Sequence, residues 1–259
     1  MNIPVFQVDA FSDKIFGGNP AAVCPLPNWL DDDLLQSIAA ENNLSETAFF
    51  VQEGDVFRLR WFTPTTEVDL CGHATLATAH ILFNCLDYSG DRVEFETLSG
   101  QLSVTREGNL LAMDFPARPG KPVPTDANLA DAIGAKVLES LVARDTVLVL
   151  ESEAAVRTVE PDMTKIAAFD TFAFTICAPG ESCDFVCRFF APRQGIPEDP
   201  VTGSAFCTLA PYWAARLGKS RLNARQVSHR GGAVACEDKG DRVSVAGTAA
   251  LFLTGEIHL

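Results

Sequence analysis

Two short stretches carry the residues able to do chemistry. The first reads Asp69-Leu-Cys-Gly-His-Ala74 and the second Glu198-Asp-Pro-Val-Thr-Gly-Ser-Ala205. Each follows an apolar strand-like run, Val56–Phe62 or Phe185–Phe190, and a proline turn, and each leads through a glycine into a helix of small residues. The first N–H groups of a helix have no partner within it, and its dipole favours negative charge there. A glycine at that point lets a ligand come close to the main chain. Each joint is therefore a candidate pocket for a carboxylate or an oxyanion. Two such pockets facing one cleft suit a small acidic molecule held at both ends.

Five side chains at or near these joints weigh as reacting groups. Glu46 opens an otherwise apolar strand, Ser45-Glu-Thr-Ala-Phe-Phe-Val51. It is either a solvent-facing acid or a carboxyl held in a partly apolar cleft, able to exchange protons near neutrality. His73 stands in the first turn after Gly72. It is a buried histidine satisfied by main chain, or a hydrogen-bond donor and proton relay whose neutral form the positive helix end favours. Asp199 and Ser204 precede and open the second helix, as caps or as ligand contacts. Gly203 and Ser204 mirror Gly72 and His73. Cys71, at a helix start, is expected to have a lowered pKa and is the candidate nucleophile, although Thr202 stands where a second cysteine would be needed. Glu67, Asp69 and Glu198 read as loop acids.

The elements that must position these groups form one unit used twice. Phe62-Thr-Pro64 matches Phe190-Ala-Pro192, 128 residues on, and Gly72 matches Gly203, 131 residues on. Asp170, ahead of Phe172–Thr175, is a weaker echo of Glu46. Strands are expected at 5–11, 21–25, 56–62, 92–97, 101–105, 110–115, 146–150, 156–159, 225–230, 233–237, 242–246 and 249–257. Helices are expected at 29–42, 71–83, 127–138, 162–169 and 207–217. Pro116–Pro124 carries four prolines and a glycine and reads as a linker. Strands outnumber helices without the regular alternation of a doubly wound sheet, so the class is α+β. The expected domains are 1–116, closed by a strand at about 248–259, and 117–247, with the active-site cleft between them.

The 259 residues carry a net charge of −14. That balance argues against nucleic acid and anionic membranes as partners, which need clustered Lys and Arg. It leaves room for a small anionic metabolite, because local helix ends outweigh a distant, screened charge. A mean hydropathy of +0.11 and an apolar fraction of 47% fit a folded soluble chain. No apolar run approaches the roughly 20 residues of a membrane helix. The first residues lack a leader's basic start and apolar core, so a cytoplasmic location is expected. Eight cysteines are spread through apolar contexts, as buried hydrophobes are. Cys183 and Cys187 have no second pair nearby, so neither disulfides nor a metal are expected.

Four ordered motifs carry a family resemblance: Gly18-Asn-Pro-Ala-Ala-Val23, Ser45-Glu-Thr-Ala-Phe49, Asp69-Leu-Cys-Gly-His-Ala-Thr75 and Glu198-Asp-Pro-Val-Thr-Gly-Ser-Ala205. The chain resembles the phenazine-biosynthesis PhzF-like family over nearly its whole length. The resemblance implies a fold like that of diaminopimelate epimerase: two pseudo-symmetric domains, each a curved, mostly antiparallel sheet around a central helix. It implies an isomerase without a cofactor, in which Glu46 takes a proton from one substrate carbon and returns it to another. His73, Asp199 and Ser204 would support binding or proton transfer, and Ser45, Gly72 and Gly203 would offer hydroxyl or backbone donors. A cysteine-assisted epimerase using Cys71 and a binding protein without activity are the alternatives, and a homodimer is the expected assembly.

Overall fold

The computed structural model describes residues 1–259. In chain order the elements are β1 (Asn2–Ala10), β2 (Asn19–Leu26), α1 (Asp32–Asn42), β3 (Glu46–Glu53), β4 (Val56–Phe62), β5 (Glu67–Val68), α2 (Gly72–Cys85), β6 (Arg92–Thr97), β7 (Gly100–Glu107) and β8 (Leu110–Pro116). The second half continues with β9 (Lys121–Val123), α3 (Ala127–Ile133), β10 (Glu139–Val142), β11 (Thr146–Val149), α4 (Glu153–Thr158), α5 (Met163–Ala168), β12 (Phe174–Pro179), β13 (Phe185–Ala191) and β14 (Ile196–Asp199). It ends with α6 (Phe206–Leu217), β15 (Arg221–Gln226), β16 (Gly232–Asp238), β17 (Arg242–Gly247) and β18 (Ala249–His258). Two compact units result: Met1–Asp114 with Ala246–Leu259, and Phe115–Val245.

In the first unit β1 pairs antiparallel with both β18 and β2. β2 runs parallel to β3, β3 antiparallel to β4, β4 parallel to β6, and β6 antiparallel to β7. The second unit repeats the series. β10 and β11 are antiparallel, β11 and β12 parallel, β12 and β13 antiparallel, β13 and β15 parallel, β15 and β16 antiparallel. Such a string of parallel and antiparallel steps, occurring twice in the same order, is the structural form of the duplication.

Helix α2 is buried on nearly every side, from His73 through Phe83. A helix with no polar face belongs inside, not on a surface. Thr75 and Thr78 fit because their hydroxyls donate to Cys71 O and Ala74 O, one turn back, at 2.6 and 2.8 Å. The start of β3, from Glu46 to Val51, is buried on both faces. Phe49 and Val51 pack with Leu35, Ile38 and Ala39 of α1, and α2 also packs on β3.

The two halves also share a buttress. Arg60 on β4 grips Glu67 through Nε and Nη2 at 2.6 and 2.7 Å. Arg188 on β13, 128 residues on, grips Glu198 in the same way at 2.7 and 3.0 Å. Two parallel bonds from a planar guanidinium fix both position and angle. Each clamp ties a strand to the segment that leads into its central helix. Glu67 and Glu198 are therefore clamped strand residues, not free loop acids. Their carboxylates, Glu67 first, hold the Arg60 pKa above its ordinary value.

Several local expectations shift. Residues 153–158 form a helix where a strand was expected, because Ser152 caps it and accepts from Ala155 N at 3.2 Å. Gly134 in the left-handed region ends α3 early, and residues 139–142 become a strand. In β15 the alternation of exposed and buried residues begins at Arg221, and the strand stops at Gln226. Within the proline-rich linker, Lys121–Val123 pairs with β10.

Candidate active site

The site in the first unit is assembled by strand register. Ala21 of β2 stands beside Glu46 of β3, so the residues just ahead of both strands, Asn19 and Ser45, meet at the same edge. Gly18 makes this possible. Its φ is +63°, and a Cβ there would lie 2.1 Å from the carbonyl oxygen of Ala10, so only glycine fits the turn. The turn delivers a fully buried Asn19 to the start of α2.

Three contacts then form a line. Ser45 Oγ donates to Asn19 Oδ1 at 3.1 Å. Asn19 Nδ2 faces His73 Nδ1 at 3.2 Å. On the other side of the ring, His73 Nε2 stands 3.0 Å from Glu46 Oε2. That last contact is close but poorly aligned, since neither atom completes a well-directed hydrogen bond. The pair is juxtaposed, with the proton positions of both atoms still available to a third partner. Cys71 Sγ lies 3.5 Å from His73 Nδ1. Glu46, Cys71 and His73 are only 8%, 6% and 5% exposed.

The electrostatics reverse two expectations. Burial pushes the Cys71 thiol up to about 11, with the Glu46 carboxylate adding to it. A buried cysteine next to a carboxylate stays protonated even at a helix start. For His73, burial alone lowers the pKa, but the negative groups beside it overturn that and hold it well above the ordinary value. Because Cys71 is a thiol near neutrality, Glu46 is the operative charge. The imidazole is therefore favoured as a cation, not in the neutral form expected from the helix end.

Helix α2 has no side-chain cap at Cys71, so its first N–H groups, at Gly72 and His73, are not consumed by a capping residue. Sequence reading found Ser45, Glu46, Gly72 and His73 in this group. It passed over Asn19, which read as a turn residue although its place between Gly18 and Pro20 was visible.

In the second unit Asp199 ends β14 and is buried. Its carboxylate accepts the Thr202 hydroxyl, and its main-chain oxygen accepts from Gln226 Nε2 at 2.6 Å. Gln226 Oε1 in turn receives Thr202 N at 2.9 Å. This fully buried glutamine fixes the turn from both ends, and sequence reading missed it. Gly203 and half-buried Ser204 lie in a 3-10 turn, Gly203–Ala205, ahead of α6, so the mirror of His73 sits in a preceding turn and not in the α-helix itself. Asp170 is no counterpart of Glu46. Its side chain is solvent-exposed and pairs with Arg193 at 2.9 Å, and Phe174 opens β12.

The profile of the family described as phenazine biosynthesis-like protein, PhzC-PhzF, matches residues 8–255. An uncharacterized isomerase of Pseudomonas aeruginosa is 51% identical over 259 residues, all of both chains. The crystal structure of a PhzF-family protein from Enterococcus faecalis superimposes with a TM-score of 0.99 at 46% identity, again over all of both chains. A hydroxyproline epimerase from Agrobacterium vitis, 9% identical, covers 99% of this chain and 92% of its own with a TM-score of 0.61, a likeness of fold. The fold is that of the diaminopimelate epimerase-like proteins.

Proposed function

The chain belongs to the phenazine biosynthesis-like PhzC-PhzF family and is an isomerase; we propose that it moves a proton within a small carboxylate-bearing metabolite, with Glu46 as the acid/base. The observation that carries this reading is the buried, unaligned contact of Glu46 Oε2 with His73 Nε2 at 3.0 Å. A base must keep a lone pair free for the carbon acid, and an aligned hydrogen bond to histidine would occupy it.

In this reading Glu46 takes a proton from a carbon acidified by a neighbouring carbonyl or carboxyl group. The negative charge that develops is met by the His73 imidazolium and by the uncapped N–H groups at the start of α2. Glu46 then returns the proton to a different carbon, and no cofactor is needed. Ser45, acting through Asn19, holds the imidazole in place. Gly72, Gly203 and Ser204 are assigned to substrate binding and Asp199 to supporting proton transfer. We also propose a cytoplasmic homodimer, the assembly being tested by light scattering.

Glu46→Gln keeps shape and removes the base. It is expected to lower turnover by about 10²–10⁴-fold while retaining ligand binding. Full activity in that variant would end the reading. The cysteine-assisted alternative has one observation for it, the 3.5 Å approach of Cys71 to His73, and one against it, the raised thiol pKa.

A further inference from the structure

The start of α2 concentrates three donors of different kinds. Glu46, Cys71 and His73 each offer one ligand atom, and the three atoms lie within 4.8 Å of one another. All three residues are buried. Glu46 Oε2 and His73 Nε2 have no aligned hydrogen bond, so both can turn onto a ligand without breaking one. A carboxylate oxygen, an imidazole nitrogen and a thiolate sulfur are donors of the zinc class, where three protein ligands leave a fourth position for water or substrate. Magnesium and calcium take oxygen donors instead.

We propose that Glu46, Cys71 and His73 form a capture site for a thiophilic divalent cation of the zinc class, held through His73 Nε2. The opposite ring nitrogen faces Asn19 at 3.2 Å. Asn19 would thus serve as the outer partner that fixes a metal-bound imidazole, with Ser45 behind it. Bonds of about 2.0–2.3 Å to nitrogen, oxygen and sulfur require Cys71 to swing toward Nε2. Three bonds to the cation form, the thiol proton and the Nε2 proton leave to solvent, and no oxidation state changes.

The binding stands on the three donors alone. Its consequence rests on the reading of Glu46 as the acid/base: a ligated carboxylate cannot accept a proton from carbon, so the cation and turnover exclude each other.

Cobalt(II) chloride titrated anaerobically into the reduced full-length protein tests the site. One equivalent is expected to raise a thiolate-to-cobalt charge-transfer band with the intense ligand-field bands of four-coordination, and zinc chloride is expected to erase both. Cys71→Ser should lose the charge-transfer band with an unchanged far-ultraviolet circular dichroism spectrum. Glu46→Gln and Asn19→Ala should each weaken binding by at least about tenfold. Absence of the band, or its survival in Cys71→Ser, would overturn the proposal. Zinc that binds but leaves turnover intact would keep the site and overturn the catalytic role of Glu46 instead.

Discussion

Oε2 of Glu46 and Nε2 of His73 stand 3.0 Å apart in a buried setting, joined by charge and not by an aligned hydrogen bond. The two residues are 27 positions apart and on different elements, and the register of β2 against β3 holds one end of the pair in place.

Charge on Glu46 holds the His73 pKa above its ordinary value of 6.5, against the effect of burial. A histidine whose folded pKa exceeds its unfolded one stabilises the fold fully below the unfolded pKa, and that stability fades as pH rises through the folded pKa. The imidazole C2-proton NMR signal should therefore titrate with a midpoint well above 6.5 in the wild type and fall back in Glu46→Gln. Denaturant midpoints of wild type and His73→Gln should converge as pH is raised.

Cys71 is held as a thiol, its pKa pushed up to about 11 by burial and by Glu46. Mass spectrometry after iodoacetamide treatment should find it unmodified near neutral pH in the folded protein. Cys71→Ser should retain turnover within a few-fold. A loss of the size expected for Glu46→Gln would move the chemistry to sulfur.

Asn19 links Ser45 to His73. Asn19→Ala leaves the ring nitrogen without its buried partner, at a cost of about 1–3 kcal/mol. The reading places this loss in kcat, with KM changed little, because the ring would no longer be aimed.

Gln226 bonds both the Asp199 carbonyl and Thr202 N from a buried position. Gln226→Ala should destabilise the fold by about 1–3 kcal/mol, measured by chemical denaturation. Each arginine clamp, Arg60 with Glu67 and Arg188 with Glu198, should show positive coupling in its own double-mutant cycle.

Much of the fold was legible because duplication leaves marks. Phe62 with Phe190 and Gly72 with Gly203 gave the two halves and their central helices. Arg60 with Arg188 and Glu67 with Glu198 carried the same signal at the same spacing, and the acids were passed over as loop residues. Short apolar runs do not separate strand from helix by periodicity, which is why 156–159 was misread until the Ser152 cap was visible. Glu46 and His73 could each be picked out by type and neighbours. Their contact could not, since it depends on register across β2 and β3. The thiol pKa of Cys71 was misjudged because helix-end potential is a local property of sequence, whereas burial and the approach of Glu46 are tertiary.

Solvent deuterium exchange into a bound acid tests the central claim most directly. The protein would be offered a metabolite extract of small carboxylic acids in D₂O, and the retained acids analysed by mass spectrometry. The account predicts a retained acid that gains deuterium at carbon with the wild type and not with Glu46→Gln, while both proteins retain it. Equal exchange in the two proteins, or a retained acid that never exchanges, would contradict the assignment of Glu46 as the group that moves the proton.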